Sequence, residues 1–215
     1  MILKIIKVNT DIDIITNSYI VSDENRKEGA IIDPGGEADK IIEMINTLDL
    51  KIKYIILTHC HIDHIGALKE LKEQTKATIL MSRRGAEEIN NPYMNLSTYF
   101  DKELMYIDVD ARIDEGDLIH IGELEFKVID TPGHTRDSIC LYCEKENLLF
   151  SGDTMFAGTW GRTDLPSGNM EEIMNSINEK ILILPDETMV YPGHDRPTTV
   201  GDEKVIYKEL KETDI

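Results

Sequence analysis

The chain has 215 residues, enough for one well-buried core and few for two. Its 41% hydrophobic and 6% aromatic content is ordinary for a globular protein, and no segment reaches the roughly 20 unbroken apolar residues of a membrane span. A formal net charge of −18, with no basic cluster longer than Arg83-Arg84, argues against nucleic acid or another phosphate-rich partner.

Residues 2–8 and 12–22 read as two strands joined by a turn at Asn9-Thr10-Asp11. Lys4, Lys7, Asp11 and Asp13 interrupt this apolar stretch, so it is read as strands and not as a signal peptide. A short strand at 29–33 ends in Pro34-Gly35-Gly36. Residues 37–48 have Ile41, Ile45 and Leu48 on one helical face. A strand at 53–57 precedes a helix at about 64–75, and the stretch 90–112 is irregular. Strands follow at 117–121, 124–130, 138–143 and 148–152, with a hairpin turn at 144–147. A glycine-rich loop at 157–168 leads to a helix over 169–182, marked by Met170, Ile173, Met174, Ile177 and Ile181. A strand at 187–191 and a helix near 202–212 complete the pattern. Mixed strands and helices in one unit predict an α/β layered fold, with 1–215 as a single domain. The three cysteines form no disulfide pattern and point to a reducing, cytoplasmic setting. Cys140 and Cys143 are three apart in a predicted strand, so they face opposite sides and form no local pair.

Five of the six histidines fall into three motifs, each after an apolar run. The first is Thr58-His59-Cys60-His61-Ile62-Asp63-His64, after Tyr54 to Leu57. The others are Pro132-Gly133-His134 and Pro192-Gly193-His194. A fourth apolar run, Leu148 to Phe150, ends in Ser151-Gly152-Asp153. Histidine and aspartate are preferred ligands of borderline divalent metals. In extended chain His59 and His61 point to the same side, while Asp63 and His64 sit where a helix begins and aim at a second nearby point. One loop thus serves two adjacent ions, and His134, Asp153 and His194 complete their ligand sets. His120 belongs to no motif and reads as a surface histidine.

These motifs resemble the metallo-β-lactamase superfamily, from the N-terminal strands to His194. The resemblance implies an αββα four-layer sandwich with a metal site at one edge between the sheets. By position, His59, His61 and His134 would hold one ion, Asp63, His64 and His194 the other, and Asp153 would bridge them. The ions would be two divalent metals, Zn2+ first, with iron or manganese as alternatives. Thr131 to Thr135 and Gly161-Arg162-Thr163-Asp164-Leu165-Pro166 resemble the glyoxalase II-like branch, which contains hydroxyacylglutathione hydrolases and persulfide dioxygenases. Two features depart from that branch. Only 21 residues follow His194, which leaves little of the helical region that holds glutathione in glyoxalase II. Asp137 stands where the family usually has glycine.

The resemblance implies thioester hydrolysis, in which a hydroxide bridging the metals attacks the acyl carbonyl. Asp63 is the candidate catalytic residue, both ligand and orienter of the nucleophile. Arg162 is the candidate contact to an anionic substrate group, and its competing role is a structural pair with Asp164. Trp160, Tyr93, Tyr99 and Phe100 are candidate pocket walls. The alternatives are a mononuclear Fe(II) persulfide dioxygenase with His59, His134 and Asp153 as its triad, a hydrolase of small phosphodiesters, and a non-catalytic metal-binding protein. The expected partner is a small-molecule thioester, with a homodimer open.

Overall fold

The structure is a computed structural model that describes residues 1–102 and 106–213. The irregular stretch expected at 90–112 therefore lies partly outside the described residues.

The N-terminal half builds one sheet. Strands β1 (Ile2–Asn9), β2 (Ile15–Asp23) and β3 (Glu28–Ile32) form an antiparallel meander. Helix α1 (Ala38–Thr47) then carries the chain to β4 (Lys51–Leu57), parallel to β3. Two short helices, α2 (Ile62–Ile65) and α3 (Leu68–Thr75), lead to β5 (Thr78–Ser82). After α4 (Arg83–Glu88) and a 3-10 turn at Ser97–Phe100, β6 (Ala111–Ile113) closes the sheet in the order β1-β2-β3-β4-β5-β6.

The C-terminal half builds the second sheet from β7 (Leu118–Ile121), β8 (Leu124–Asp130), β9 (Ile139–Cys143) and β10 (Leu148–Gly152). A small hairpin, β11 (Met155–Phe156) with β12 (Thr159–Trp160), precedes α5 (Met170–Ser176). Strands β13 (Met189–Pro192) and β14 (Thr198–Thr199) and helix α6 (Val200–Thr213) follow. The sheet order is β14-β13-β10-β9-β8-β7.

Residue periodicity explains the layers. In β4, Ile55 and Leu57 join a core with Ile41 and Ile45 of α1 and Leu68 and Leu71 of α3. The intervening Ile56 faces the other way, into a core between the sheets shared with Phe126, Val128 and Phe150. In β10, Leu149 turns to a third core containing Ile173, Ile177 and Tyr207 from the helices outside the second sheet. The inner strands are buried on both faces, which is why β4 ends in, and β10 opens with, a continuous apolar run. The result is a helix–sheet–sheet–helix sandwich. Cys140 packs in the third core and Cys143 between the sheets, so they lie on opposite faces of β9.

Local differences from expectation have physical causes. The first turn is longer than expected, because Asp13 adopts φ 59° and the Ile14 N–H is held by Thr10 Oγ1. The expected helix at 64–75 is two helices: the Ala67 N–H donates to the Pro34 carbonyl, outside the helical ladder. Strands β5 and β6 and helix α4 carry no strong period of their own and belong to no expected element. The helix expected over 169–182 starts at an Asn169 cap, whose side chain accepts from Glu171 and Glu172 N–H, and becomes a π-turn at Ile177–Ile181. The glycine-rich loop contains β12, and the 144–147 turn is a 3-10 turn ending at Asn147 with φ 49°.

Candidate metal centre

All seven candidate ligands converge at one edge of the sandwich, five on segments that follow strands and two, Asp63 and His64, in the short helix α2. His59, His61, Asp63 and His64 follow β4. His134 lies between β8 and β9, Asp153 follows β10 and His194 follows β13. Except for His194, which is about 20% exposed, they are buried.

The histidine tautomers can be deduced from their outer partners. Thr58 Oγ1 donates to Asp33 Oδ2 at 2.6 Å, so it is an acceptor for His59 Nδ1 at 3.1 Å. This leaves a lone pair on His59 Nε2. His134 Nδ1 donates to the Arg162 carbonyl at 2.8 Å, leaving its Nε2 lone pair free. Both Nε2 atoms face His61 Nδ1, at 3.2 and 3.0 Å. One proton can bridge only one of these contacts. Three nitrogens at this spacing match neighbouring donors around one tetrahedral ion, which lie about 3.3 Å apart at the usual Zn–N length. Burial lowers the pKa of all three rings, His61 to about 3, so each is a neutral donor.

The second group is Asp63, His64 and His194. His64 Nδ1 donates to Asp33 Oδ2 at 3.0 Å and His194 Nδ1 to the Ile15 carbonyl at 2.8 Å. Each inner Nε2 is thereby directed at carboxylates. His194 Nε2 lies 3.3 Å from Asp63 Oδ2, and His64 Nε2 lies 3.8 Å from it. Asp153 stands between the two groups. Its Oδ1 is 3.4 Å from His64 Nε2, and its Oδ2 is 3.3 Å from His194 Nε2 and 3.6 Å from His134 Nε2.

This group is electrostatically coupled. Burial alone would depress His64 and His194, but the carboxylates of Asp153 and Asp63 outweigh it. His64 is held well above its ordinary pKa and His194 at about 10. Burial would raise Asp153, but His194 and His64 hold it well below the carboxylate range. A divalent cation competes with those histidine protons, so its binding releases them. His61 Nε2, His64 Nε2 and Asp153 Oδ1 are buried without a hydrogen-bond partner. Unsatisfied buried donors and acceptors are costly, and an ion among these groups relieves that cost at His64 and Asp153. The donor set fits two adjacent divalent ions.

The packing is tight. A Cβ on Gly193 would come within 2.2 Å of Asp153 Oδ1 and 2.6 Å of His64 Cε1, so only glycine brings the chain this close.

Sequence reasoning passed over Asp33 and Thr58, which orient His64 and His59. The signal was present: Asp33 ends an apolar run before Pro34-Gly35, much as Asp153 ends another. Arg162 lies at the cleft beside the centre and forms a two-point pair with Asp164, its Nε and Nη2 each 2.7 Å from a carboxylate oxygen. The pair with Asp164 is thus present, and Arg162 stands at the cleft. Tyr99 and Phe100 line the cleft. Tyr93 instead stacks beside Tyr99 at 5.8 Å, and Trp160 packs against Tyr207 at 5.9 Å in the third core. His120 is exposed and remote from the centre, 3.8 Å from Glu125.

Residues 12–194 match the family model described as the metallo-beta-lactamase superfamily. The chain is 34% identical to the hydroxyacylglutathione hydrolase GloC of Haemophilus influenzae over 187 residues, 84% of this chain and 86% of that protein. Among solved structures it is similar to the BLEG-1 B3 metallo-beta-lactamase, with TM-score 0.88 and 33% identity over 95% of this chain and 97% of the other. It is also similar to TTHA1623 in a di-iron-bound form, with TM-score 0.78 and 29% identity over 93% and 96% of the two chains. The fold, the histidine–aspartate cluster and these likenesses agree: the chain belongs to the metallo-β-lactamase superfamily, as a metal-dependent hydrolase.

Proposed function

We propose that this protein hydrolyses thioesters with two divalent ions, zinc first among the candidates. The observation that carries the reading is the pair of three-donor groups with Asp153 between them, opening onto a cleft of about 770 Å³. The likeness to a hydroxyacylglutathione hydrolase supports the thioester, and the likeness to a di-iron form supports two ions. His59, His61 and His134 would hold one ion, Asp63, His64 and His194 the other, with Asp153 shared. When bound, such ions lower the pKa of water toward neutrality and polarise a carbonyl.

The chain's own residues supply orientation and proton handling. Asp63 lines the cleft, so its carboxylate is placed to hold a proton of the attacking water. Thr58, Asp33 and the Ile15 and Arg162 carbonyls fix the imidazoles. A thiolate leaving group, whose parent thiol has a pKa of about 8.5, departs without a dedicated acid. A lactam or amide nitrogen would need a proton donor, so a thioester demands least of this cleft.

The test is turnover of a thioester panel by metal-loaded protein, with metal content measured on the same sample. About two ions per chain and thioester cleavage without oxygen uptake are expected. Asp63→Asn should lower kcat by about 100-fold or more while the far-ultraviolet spectrum is unchanged. Oxygen consumption with a persulfide substrate at one iron per chain would refute the reading. So would cleavage of β-lactams or phosphodiesters with no thioester turnover.

A further inference from the structure

We infer that the thiol carrier of the substrate is uncharged: the cleft is built for an apolar thioester of a small neutral thiol, in preference to acylglutathione or acyl-coenzyme A. This rests on the thioesterase reading above and narrows it to a substrate class.

Three observations carry it. Beyond the donor groups and the Arg162–Asp164 pair, the cleft wall is largely apolar, formed by Ile14, Leu96, Tyr99, Phe100, Phe156 and Leu165. Phe156 stands edge-on to His194, with ring centroids 6.0 Å apart, so an apolar surface begins next to the second donor group. Tyr99 and Phe100 are 54% and 38% exposed, and an apolar substrate arm would cover them.

The second observation concerns cations. Among the described residues lining the cleft, Arg162 alone carries a permanent positive charge. Its Nε–Nη2 edge is occupied, because Nε and Nη2 each hold one oxygen of Asp164 at 2.7 Å. A carboxylate approaching that edge must displace Asp164, and one approaching the Nη1 edge meets Asp164 beside it as a like charge. A neutral arm displaces only water.

Third, the chain carries a net charge of −18, of which two bound divalent ions would offset only four, so its field repels anions at long range. Acylglutathione bears two carboxylates against one ammonium, and acyl-coenzyme A bears several phosphate charges. Both meet this field, and the one guanidinium among the described lining residues already carries Asp164. An acyl ester of a neutral thiol does not meet this barrier.

The experiment uses matched ligands. S-hexylglutathione and S-hexyl-N-acetylcysteamine are thioethers that cannot be hydrolysed, and each is titrated calorimetrically into the metal-loaded protein. The neutral thioether should bind at least about tenfold more tightly. Asp164→Ala, which frees the Arg162 fork, should narrow that ratio by about two- to fivefold through tighter binding of the glutathione thioether. Equal or tighter binding of the glutathione thioether to the unaltered protein overturns the inference, as does a ratio unmoved by Asp164→Ala. Hydrolysis of the two matching hexanoyl thioesters is then compared. Cleavage of neither overturns the thioesterase reading itself. Cleavage of both with the glutathione ester preferred overturns the neutral carrier alone.

Discussion

Asp137 offers a quantitative check on the structure, because it is a buried acid without a cation of its own. It sits behind the His134 loop at 2% exposure. Its Oδ1 accepts from Cys60 Sγ at 3.7 Å, and its Oδ2 has no partner. Arg136, the nearby guanidinium, is paired with Glu88. Burial, with a smaller contribution from Glu88, raises the Asp137 pKa from 3.8 to about 6. The folded protein therefore holds this proton to higher pH than the unfolded chain, and stability falls as pH rises through that window. A shift of about two units corresponds to about 3 kcal/mol in total. Of this, about 1.4 kcal/mol is lost between pH 5 and pH 8. Asp137→Asn removes the charge and keeps an oxygen to accept from Cys60. Urea unfolding of both proteins at the two pH values is the assay. The variant should gain about 1.4 kcal/mol on the wild type between pH 5 and 8. Parallel pH dependence, or a relative gain by the wild type, would refute the argument.

Two other substitutions probe the centre. Asp33→Asn leaves the metal-donor residues untouched but disturbs the hydrogen bonds that orient His64 and Thr58. Metal affinity, read by competition with a chromophoric chelator, should fall by about 10- to 100-fold, and unchanged affinity would exclude the orienting role. Gly161→Ala would place a Cβ 1.9 Å from the Asp153 carbonyl oxygen and 3.0 Å from the His134 ring. Thermal unfolding should show a loss of about 2–3 kcal/mol together with lower metal occupancy, and wild-type values for both would contradict the packing.

Much of this arrangement is legible in the residues, because its signals are local. An apolar run that ends in Pro-Gly-His or Gly-Asp announces both a buried strand and a polar group at its tip. Each such tip reaches the same edge of the sandwich. The elements that escaped are those whose identity depends on tertiary contacts. Thr78–Ser82 has no alternation to mark it, since four of its five residues are buried, and it becomes a strand by pairing with β4 and β6. Asp33 escaped because nothing within a short window shows that His64, 31 residues later, returns to it. The pairing of Arg162 with Asp164, by contrast, follows from proximity in sequence.

The contacts around His194 also order the assembly of the centre in time. Asn17 donates to the carbonyls of Pro192 and Asp195, Tyr19 hydrogen-bonds Pro192, and Ile15 receives the His194 proton, so β2 clasps a loop some 175 residues away. As the chain emerges from a ribosome, His59, His61 and His134 are all present once residue 134 has appeared, but the other donor group must wait for residue 194 and the N-terminal hairpin to meet. Closing such a large loop is slow relative to local folding. A chain in synthesis thus holds the three histidines of the first group early, whereas the Arg162 carbonyl that orients His134 and the whole second group arrive later.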